Sequence, residues 1–265
     1  MLAKPTPILV CTGLTVSVPG RRLVDELDLE LTSGEVVAVL GRNGSGKTLT
    51  LLTLAGLRPA AGGLVTLGGA SILASRRRTA QQLAFLPQTT DDVFPATVLD
   101  TALTGRHPHI GLMRWESARD REIARAALET MSLTSLAARD VLTLSGGERR
   151  RLAIAQVLAQ SPSVYLLDEP TNHLDPQHQL DALAVFRRAA DEQGAAVLVS
   201  LHDVNLAARF ADRCLLLHGD GRWRLGASAD VLDVGSLGEL YATTMETVRW
   251  RSRDLFVAVS DHPAP

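Results

Sequence analysis

The stretch GRNGSGKT, residues 41–48, sets two glycines, a lysine and a hydroxyl in the spacing G-x-x-x-x-G-K-[ST]. Gly41 and Gly46 let the backbone wrap close to an anion, so that several amide hydrogens point inward. The apolar run VVAVL before the loop reads as a strand, and LTLL after it as a helix, whose N-terminus adds a favourable dipole. Lys47 would then reach the β- and γ-phosphates of a nucleotide, and the Thr48 hydroxyl would ligate Mg²⁺. Composition singles out the same residue. The chain has 27 basic residues but only two lysines, Lys4 and Lys47. A compact charge on a flexible stem is not interchangeable with a planar fork, so position 47 reads as one where arginine does not serve.

A second constellation lies in VYLLDEPTNHLD, an apolar strand that ends in two acids. An aspartate there, Asp168, is placed to hold Mg²⁺. The next residue, Glu169, points to a different space. Backed by apolar walls, its carboxylate would have a raised pKa and take a proton from water as general base. Two polar residues at strand ends complete the set, because ligands gather at the carboxyl ends of open α/β sheets. Gln88, in AFLPQ, would touch Mg²⁺ or the attacking water. His202, in VLVSLHD, would bond the γ-phosphate and orient that water.

LTLSGGERRRLAIAQ, residues 143–157, holds a second anion signal. Ser145 and Glu148 fit an S-x-x-E capping box at a helix start. A cap alone does not account for Gly146 and Gly147, which weaken a helix start by propensity. Bare amides and a hydroxyl at a positive helix end make a phosphate site. This segment lies far along the chain from Lys47 and need not face the nucleotide of its own copy; a two-fold dimer could set it on the nucleotide held by the other.

These residues require a frame. The chain has 265 residues, 46% apolar, enough for one large α/β domain or a domain with an inserted subdomain. The formal charge of −2 lends no support to a general nucleic-acid role. No stretch approaches the roughly 20 apolar residues of a membrane span, and MLAKPTPILVCTG lacks the apolar core of a signal peptide. Cys11 and Cys214 are isolated, which fits buried small hydrophobes in a reduced, cytosolic setting. Val36–Leu40, Val164–Leu167, Ala196–Ser200 and Cys214–Leu217 read as buried parallel strands. Helices alternate with them. One follows Lys47 with Leu49, Leu52 and Ala55 on one side, and another, HQLDALAVFRRAADEQ, stops at Gly194. Leu14–Val18 and Leu27–Leu31, with turns at Pro19-Gly20 and Ser33-Gly34, suggest an antiparallel β portion. Between about 90 and 160 the strand signals vanish, and SARDREIARAALETM, capped by Ser117 with Asp120, reads as a helix of an inserted subdomain. The tail has strand-like pieces at Thr247–Trp250 and Leu255–Val259.

GRNGSGKT, FLPQ, LSGGE, VYLLDEP, NHLD and SLHD stand in the order of the ATP-binding cassette (ABC) family, and residues 8 to 240 resemble that family. The resemblance implies an α/β fold with a RecA-like P-loop NTPase core, an antiparallel β subdomain and an inserted α-helical subdomain. It divides the chain into a nucleotide-binding core at 1–88 and 162–240, a helical subdomain at 89–161 that carries LSGGE, and a tail at 241–265. It implies ATP and Mg²⁺ as cofactors. ATP would be held by Gly41, Arg42, Asn43, Gly44, Ser45, Gly46, Lys47, Thr48 and Thr50. Ser145, Gly146, Gly147, Glu148 and the D-loop residue Asp175 would reach the nucleotide of the second copy. Mg²⁺ would be held by Thr48, Gln88 and Asp168. Lys47, Gln88, Glu169 and His202 would serve catalysis, Gln88 as the Q-loop residue and His202 as the switch histidine. One departure is Val18, in LTVSVPGRR, where the family has an aromatic ring stacked on adenine. Loss of a ring costs on the order of 1–3 kcal/mol, by analogy with base stacking, and Arg21 or Arg22 would substitute in part. Adenine-versus-guanine discrimination should then be loose.

TTDDVFPATVLDTALTGRHPHIG, SLHDVNLAARFADRCLLLHGDGRW and LGELYATTMETVRW resemble the ATPases of importers for ferric siderophores, haem and cobalamin. That resemblance implies separate membrane permease subunits as partners, docked on the segment after Gln88, and a periplasmic or surface binding protein that delivers the chelate. It implies a peripheral place on the cytoplasmic face of the inner (plasma) membrane. The alternative is a soluble cassette ATPase without a transporter, such as an iron–sulfur assembly component. A small-molecule kinase is disfavoured by LSGGE.

Overall fold

The computed structural model describes residues 7–89, 95–111, 113–251 and 253–259. Its centre is a six-stranded sheet in the order Trp223–Ala227, Arg213–Leu217, Val36–Leu40, Ala196–Ser200, Val164–Asp168, Leu83–Leu86. All neighbours run parallel except Trp223–Ala227, which pairs antiparallel with Arg213–Leu217. The strands Val36–Leu40, Val164–Asp168 and Ala196–Ser200 are buried at every residue, as a parallel sheet covered on both faces requires. Period-two alternation divides their side chains. Val36, Ala38, Leu40, Leu167 and Val199 join the core under the helices. Val37, Val39, Leu166 and Leu198 join a second core under the antiparallel sheet. The carboxyl ends of four strands therefore open on one rim, followed by Gly41, Gln88, Glu169 and His202.

The antiparallel sheet runs in the order Arg21–Thr32, Pro7–Val18, Gly62–Leu67, Ala70–Ser71. The first hairpin is the expected one. The strands at 62–71 return to it from beyond the Lys47 helix, a pairing that no local pattern announces. Of the expected line Leu49, Leu52 and Ala55 on the helix Lys47–Leu54, only Ala55, at its C-cap, is buried. Leu51 and Leu54 are buried with Thr50 and Thr53, whereas Leu49 and Leu52 are only half-buried. Leucines surround this helix, so spacing leaves its rotation open.

The helical region contains Val98–Leu103, a tight turn at Thr104–His109, Ala118–Thr130 and Gly146–Gln160. Residues 90–94, part of the segment expected to meet a permease, lie outside the described residues. Ala118–Thr130 starts at the expected capping box: the Asp120 amide donates to Ser117 Oγ at 3.2 Å, and the Ser117 amide to Asp120 Oδ2 at 3.0 Å. Arg106, buried in the turn, donates to Asp120 Oδ1 at 3.0 Å and to the Ala159 carbonyl at 2.9 Å. One guanidinium thus joins the turn to both long helices. The tail forms a hairpin of Thr244–Trp250 and Arg253–Val259, each strand longer than expected. It docks on the helix Val204–Phe210, where the Asn205 side-chain amide exchanges two hydrogen bonds with the Phe256 backbone, at 3.1 and 2.8 Å. Among the described residues no helix is long and apolar enough to cross a membrane.

Hydrogen bonds from the Ser117 hydroxyl and amide, then the Arg106 guanidinium, hold the Asp120 carboxyl at about 2, below its ordinary 3.8. A carboxylate depressed in the folded state stabilises above its unfolded pKa, and that stability is lost as pH falls through the folded value. Asp120→Asn is therefore less stable than the parent at neutral pH. The gap between their urea midpoints narrows as pH falls from 3.8 to about 2.

Candidate functional site

The loop between Leu40 and Lys47 is shaped by glycines. Gly41 has φ 159°, and a Cβ there would lie 2.5 Å from both the Leu217 carbonyl and Ser45 Oγ. Gly46, at φ 101°, caps the helix in a left-handed conformation and packs against Leu23. The loop delivers Lys47 into a site where the side chain is only 6% exposed. Its Nζ donates to the Gly41 carbonyl at 2.8 Å. Burial pulls the ammonium below the ordinary lysine value, and the charges of Glu169 and Asp168 pull it partly back.

Residues 42–48 line a cleft of about 660 Å³ together with Val18, Arg21, Leu23, Leu49, Gln88, Glu169, Asn172 and His202. Five segments distant in sequence thus meet at one rim. Arg21 lies in the cleft and donates to the Gly219 carbonyl at 2.8 Å. Arg22 points to Asp25 and is not among the lining residues. Thr50, expected among the nucleotide contacts, is fully buried on the core side of its helix and does not line the cleft.

Glu169 is the centre of the polar network. Its backbone is left-handed at φ 48°, a conformation costly for a non-glycine residue and concentrated at functional sites. Its carboxylate accepts from Gln88 Nε2 at 2.7 Å and from Asn172 Nδ2, and its other oxygen lies against His202 Nε2. These three partners set polar groups directly on the carboxylate, which sequence alone did not place there. Asp168 is fully buried beneath. Its Oδ1 accepts from Ser200 Oγ at 2.6 Å, while Oδ2 has no hydrogen-bond partner among the described residues. An oxygen so placed suits a hard cation, which takes oxygen ligands. Thr48 supplies a hydroxyl at the cleft, and Gln88 keeps Oε1 available while Nε2 holds Glu169.

The other expected anion site lies elsewhere. Ser145 is exposed and caps the helix Gly146–Gln160, with both bonds of the capping box to Glu148 formed, at 3.3 and 2.8 Å. A Cβ on Gly146 would meet nothing within 4 Å, and one on Gly147 would only touch the His173 carbonyl at 3.4 Å. Packing within the chain therefore does not demand the first of these glycines. Asp175 caps the helix Pro176–Gln193 through the His178 amide at 2.9 Å. None of Ser145, Gly146, Gly147, Glu148 and Asp175 lines the cleft that holds Lys47.

Sequence reasoning missed Ser200, Asn172 and Arg150. Asn172 stands within NHLD, where no role was assigned to it. Ser200 is the register partner of Asp168 on the neighbouring strand, which strand alignment alone reveals. Its hydroxyl accepts from the Glu169 amide at 2.9 Å while donating to Asp168. Ser200→Ala leaves a buried amide and a buried carboxylate oxygen unpaired. It should lower stability in urea unfolding by about 1–3 kcal/mol and reduce turnover of ATP; an unchanged midpoint contradicts this role.

A family model described as ABC transporter matches residues 24–172. The chain is 44% identical over 234 residues to Hemin import ATP-binding protein HmuV of Gloeobacter violaceus, covering 85% of this chain and 83% of that protein. It is 37% identical over 255 residues to Cobalamin import ATP-binding protein BtuD of Halobacterium salinarum, covering 96% of this chain and 60% of that longer protein. Among solved structures, a chain of a transporter described as metal-chelate type, in an inward-facing conformation, superposes with a TM-score of 0.85 at 28% identity. The match covers 97% of this chain and 99% of that one. With a glycine loop, a buried lysine and a strand-end acid pair at one rim, the chain belongs to the ABC transporter family and is an ATP-binding, ATP-hydrolysing member of it.

Proposed function

We propose that the chain powers uptake of a metal chelate (a ferric siderophore, haem or cobalamin) through separate permease subunits, and that two copies close on two ATP molecules. The single observation that carries the chemistry is the position of Glu169, at the mouth of the phosphate loop and held by Gln88, Asn172 and His202. The names of the relatives carry the cargo class. The absence of Ser145–Glu148 and Asp175 from the Lys47 cleft supports their use on the nucleotide of a second copy. In this reading the chain sits peripherally on the cytoplasmic face of the inner membrane. A periplasmic or surface binding protein delivers cargo to the other side.

The residues divide the reaction as follows. The loop amides of 42–48 and the Lys47 ammonium hold the β- and γ-phosphates and take up developing charge. Glu169 accepts a proton from the attacking water, whose oxygen bonds to the γ-phosphorus as the bond to the β–γ bridging oxygen breaks. ADP and inorganic phosphate leave. His202 holds Glu169 before closure and orients the γ-phosphate after it. Mg²⁺, held by Thr48, Asp168 and Gln88, would neutralise phosphate charge when bound.

Glu169→Gln keeps ATP binding but lowers kcat by about a hundredfold or more, since an amide takes no proton. In size-exclusion chromatography with light scattering it accumulates as an ATP-bound dimer. Ser145→Arg leaves nucleotide binding by the monomer intact and blocks that dimer; an equal loss of monomer binding would show that the serine acts on its own nucleotide. A permease that co-purifies with the chain supports transport, and a soluble scaffold complex in its place overturns it. With Val18 and Arg21 in the cleft and no aromatic ring to stack on the base, discrimination between ATP and GTP should be loose, and measured affinities that differ by about a thousandfold reject that assignment.

A further inference from the structure

Arg150 is buried, 4% exposed, on the helix Gly146–Gln160. Among the described residues, every hydrogen bond it makes runs to a main-chain carbonyl. Nε donates to Pro170 at 3.1 Å. One terminal nitrogen donates to Pro87 at 2.6 Å and Gln88 at 3.2 Å. The other donates to Asp168 at 2.8 Å and Glu169 at 2.7 Å. These carbonyls belong to two segments far apart in sequence. Above them the side chains of Gln88 and Glu169 meet at 2.7 Å. The guanidinium fork is the only side chain geometry that spans two backbones with five donors at fixed angles. Burial lowers the group to about 10, and the charges of Asp168 and Glu169 act against that lowering, so it stays charged at neutral pH. A buried charge bonded to neutral carbonyls is costly to keep unless its geometry does something.

We infer that Arg150 is a positioning residue for ATP hydrolysis: its guanidinium sets the spacing between the Gln88 and Glu169 backbones and ties both to the helix that begins at Ser145, Gly146 and Gly147. The inference rests on the assignment of Glu169 as base and Gln88 as its partner proposed above. Five residues of helix, roughly 7.5 Å at the standard rise, separate Ser145 from Arg150 on one rigid element. When the helix start closes on the nucleotide of the second copy, the same helix moves the carbonyls that orient its own base. Each copy's grip on its partner's ATP is thereby coupled to its own readiness to hydrolyse.

The test uses the full-length protein with Arg150→Lys and Arg150→Gln, assayed for ATP turnover, nucleotide binding and thermal melting. Lysine keeps the charge but concentrates its donors on one atom, which cannot bridge the two segments. Both variants are expected to melt as folded proteins, with KM for ATP within about threefold and kcat lowered at least about tenfold, the signature of an interaction that matters in the transition state. Combined with Gln88→Ala, Arg150→Lys should cost less than in the parent, because the two act through one contact. The inference is overturned by unchanged kcat in a folded variant, by losses that multiply with Gln88→Ala, or by failure of both variants to fold or bind nucleotide. The Glu169→Gln control separates the two levels: if it turns over ATP like the parent, the base assignment fails, whatever Arg150 does.

Discussion

Charge held out of water is the constraint on which this structure depends. Lys47, Asp168 and Glu169 stand at one rim of the sheet, each at most 6% exposed. Burial of such groups is unfavourable unless each is bonded. Asp168 is met by Ser200, and Glu169 by Gln88, Asn172 and His202. Lys47 is different: its hydrogen bonds go to the carbonyls of Gly41 and Arg42, not to a carboxylate. Its positive charge thus stands in the cleft without a carboxylate partner, and the second oxygen of Asp168, buried behind the lining, has no hydrogen-bond partner among the described residues. A polyanion and a hard cation are the complementary pair.

The surrounding fold is what that arrangement requires. Fully buried parallel strands carry the charged residues to one edge, and two apolar cores, one on each face, hold the strands in register. The loop must pass close under the Leu217 carbonyl, so position 41 accepts no side chain. The helical region is joined to this rim by polar bonds from a single arginine as well as by packing. A hydrophobic contact would let the helix slide, whereas five directional bonds do not.

What the sequence reveals here is mostly what is local. The phosphate loop, both S-x-x-[DE] caps and the strand ends at Asp168 and Ser200 are written in contiguous residues, and each takes its expected form. What is hidden is what depends on distant partners. The hydrogen bond that Gln88 gives Glu169 comes from 81 residues away, and no local pattern announces it. Ser200 matters because its strand aligns with Asp168, which a single run of apolar residues does not disclose. Leucines on all sides of the Lys47 helix conceal its rotation, which buries Thr50 away from the cleft lining. Three consecutive arginines at 149–151 look alike in sequence. Only helical phase, set by packing, buries the middle one.

The central claim is that Lys47 and Asp168 are kept for ligand. The most direct measurement is a crystal structure of the Glu169→Gln variant with ATP and Mg²⁺. The account predicts that Lys47 Nζ turns from the Gly41 carbonyl to the γ-phosphate, that a metal at about 2.1 Å from the Thr48 hydroxyl lies beside Asp168 Oδ2, and that Ser145 of a second copy completes the site. A bound nucleotide with Lys47 still on Gly41, Asp168 without a new partner and no second copy across the γ-phosphate would contradict it.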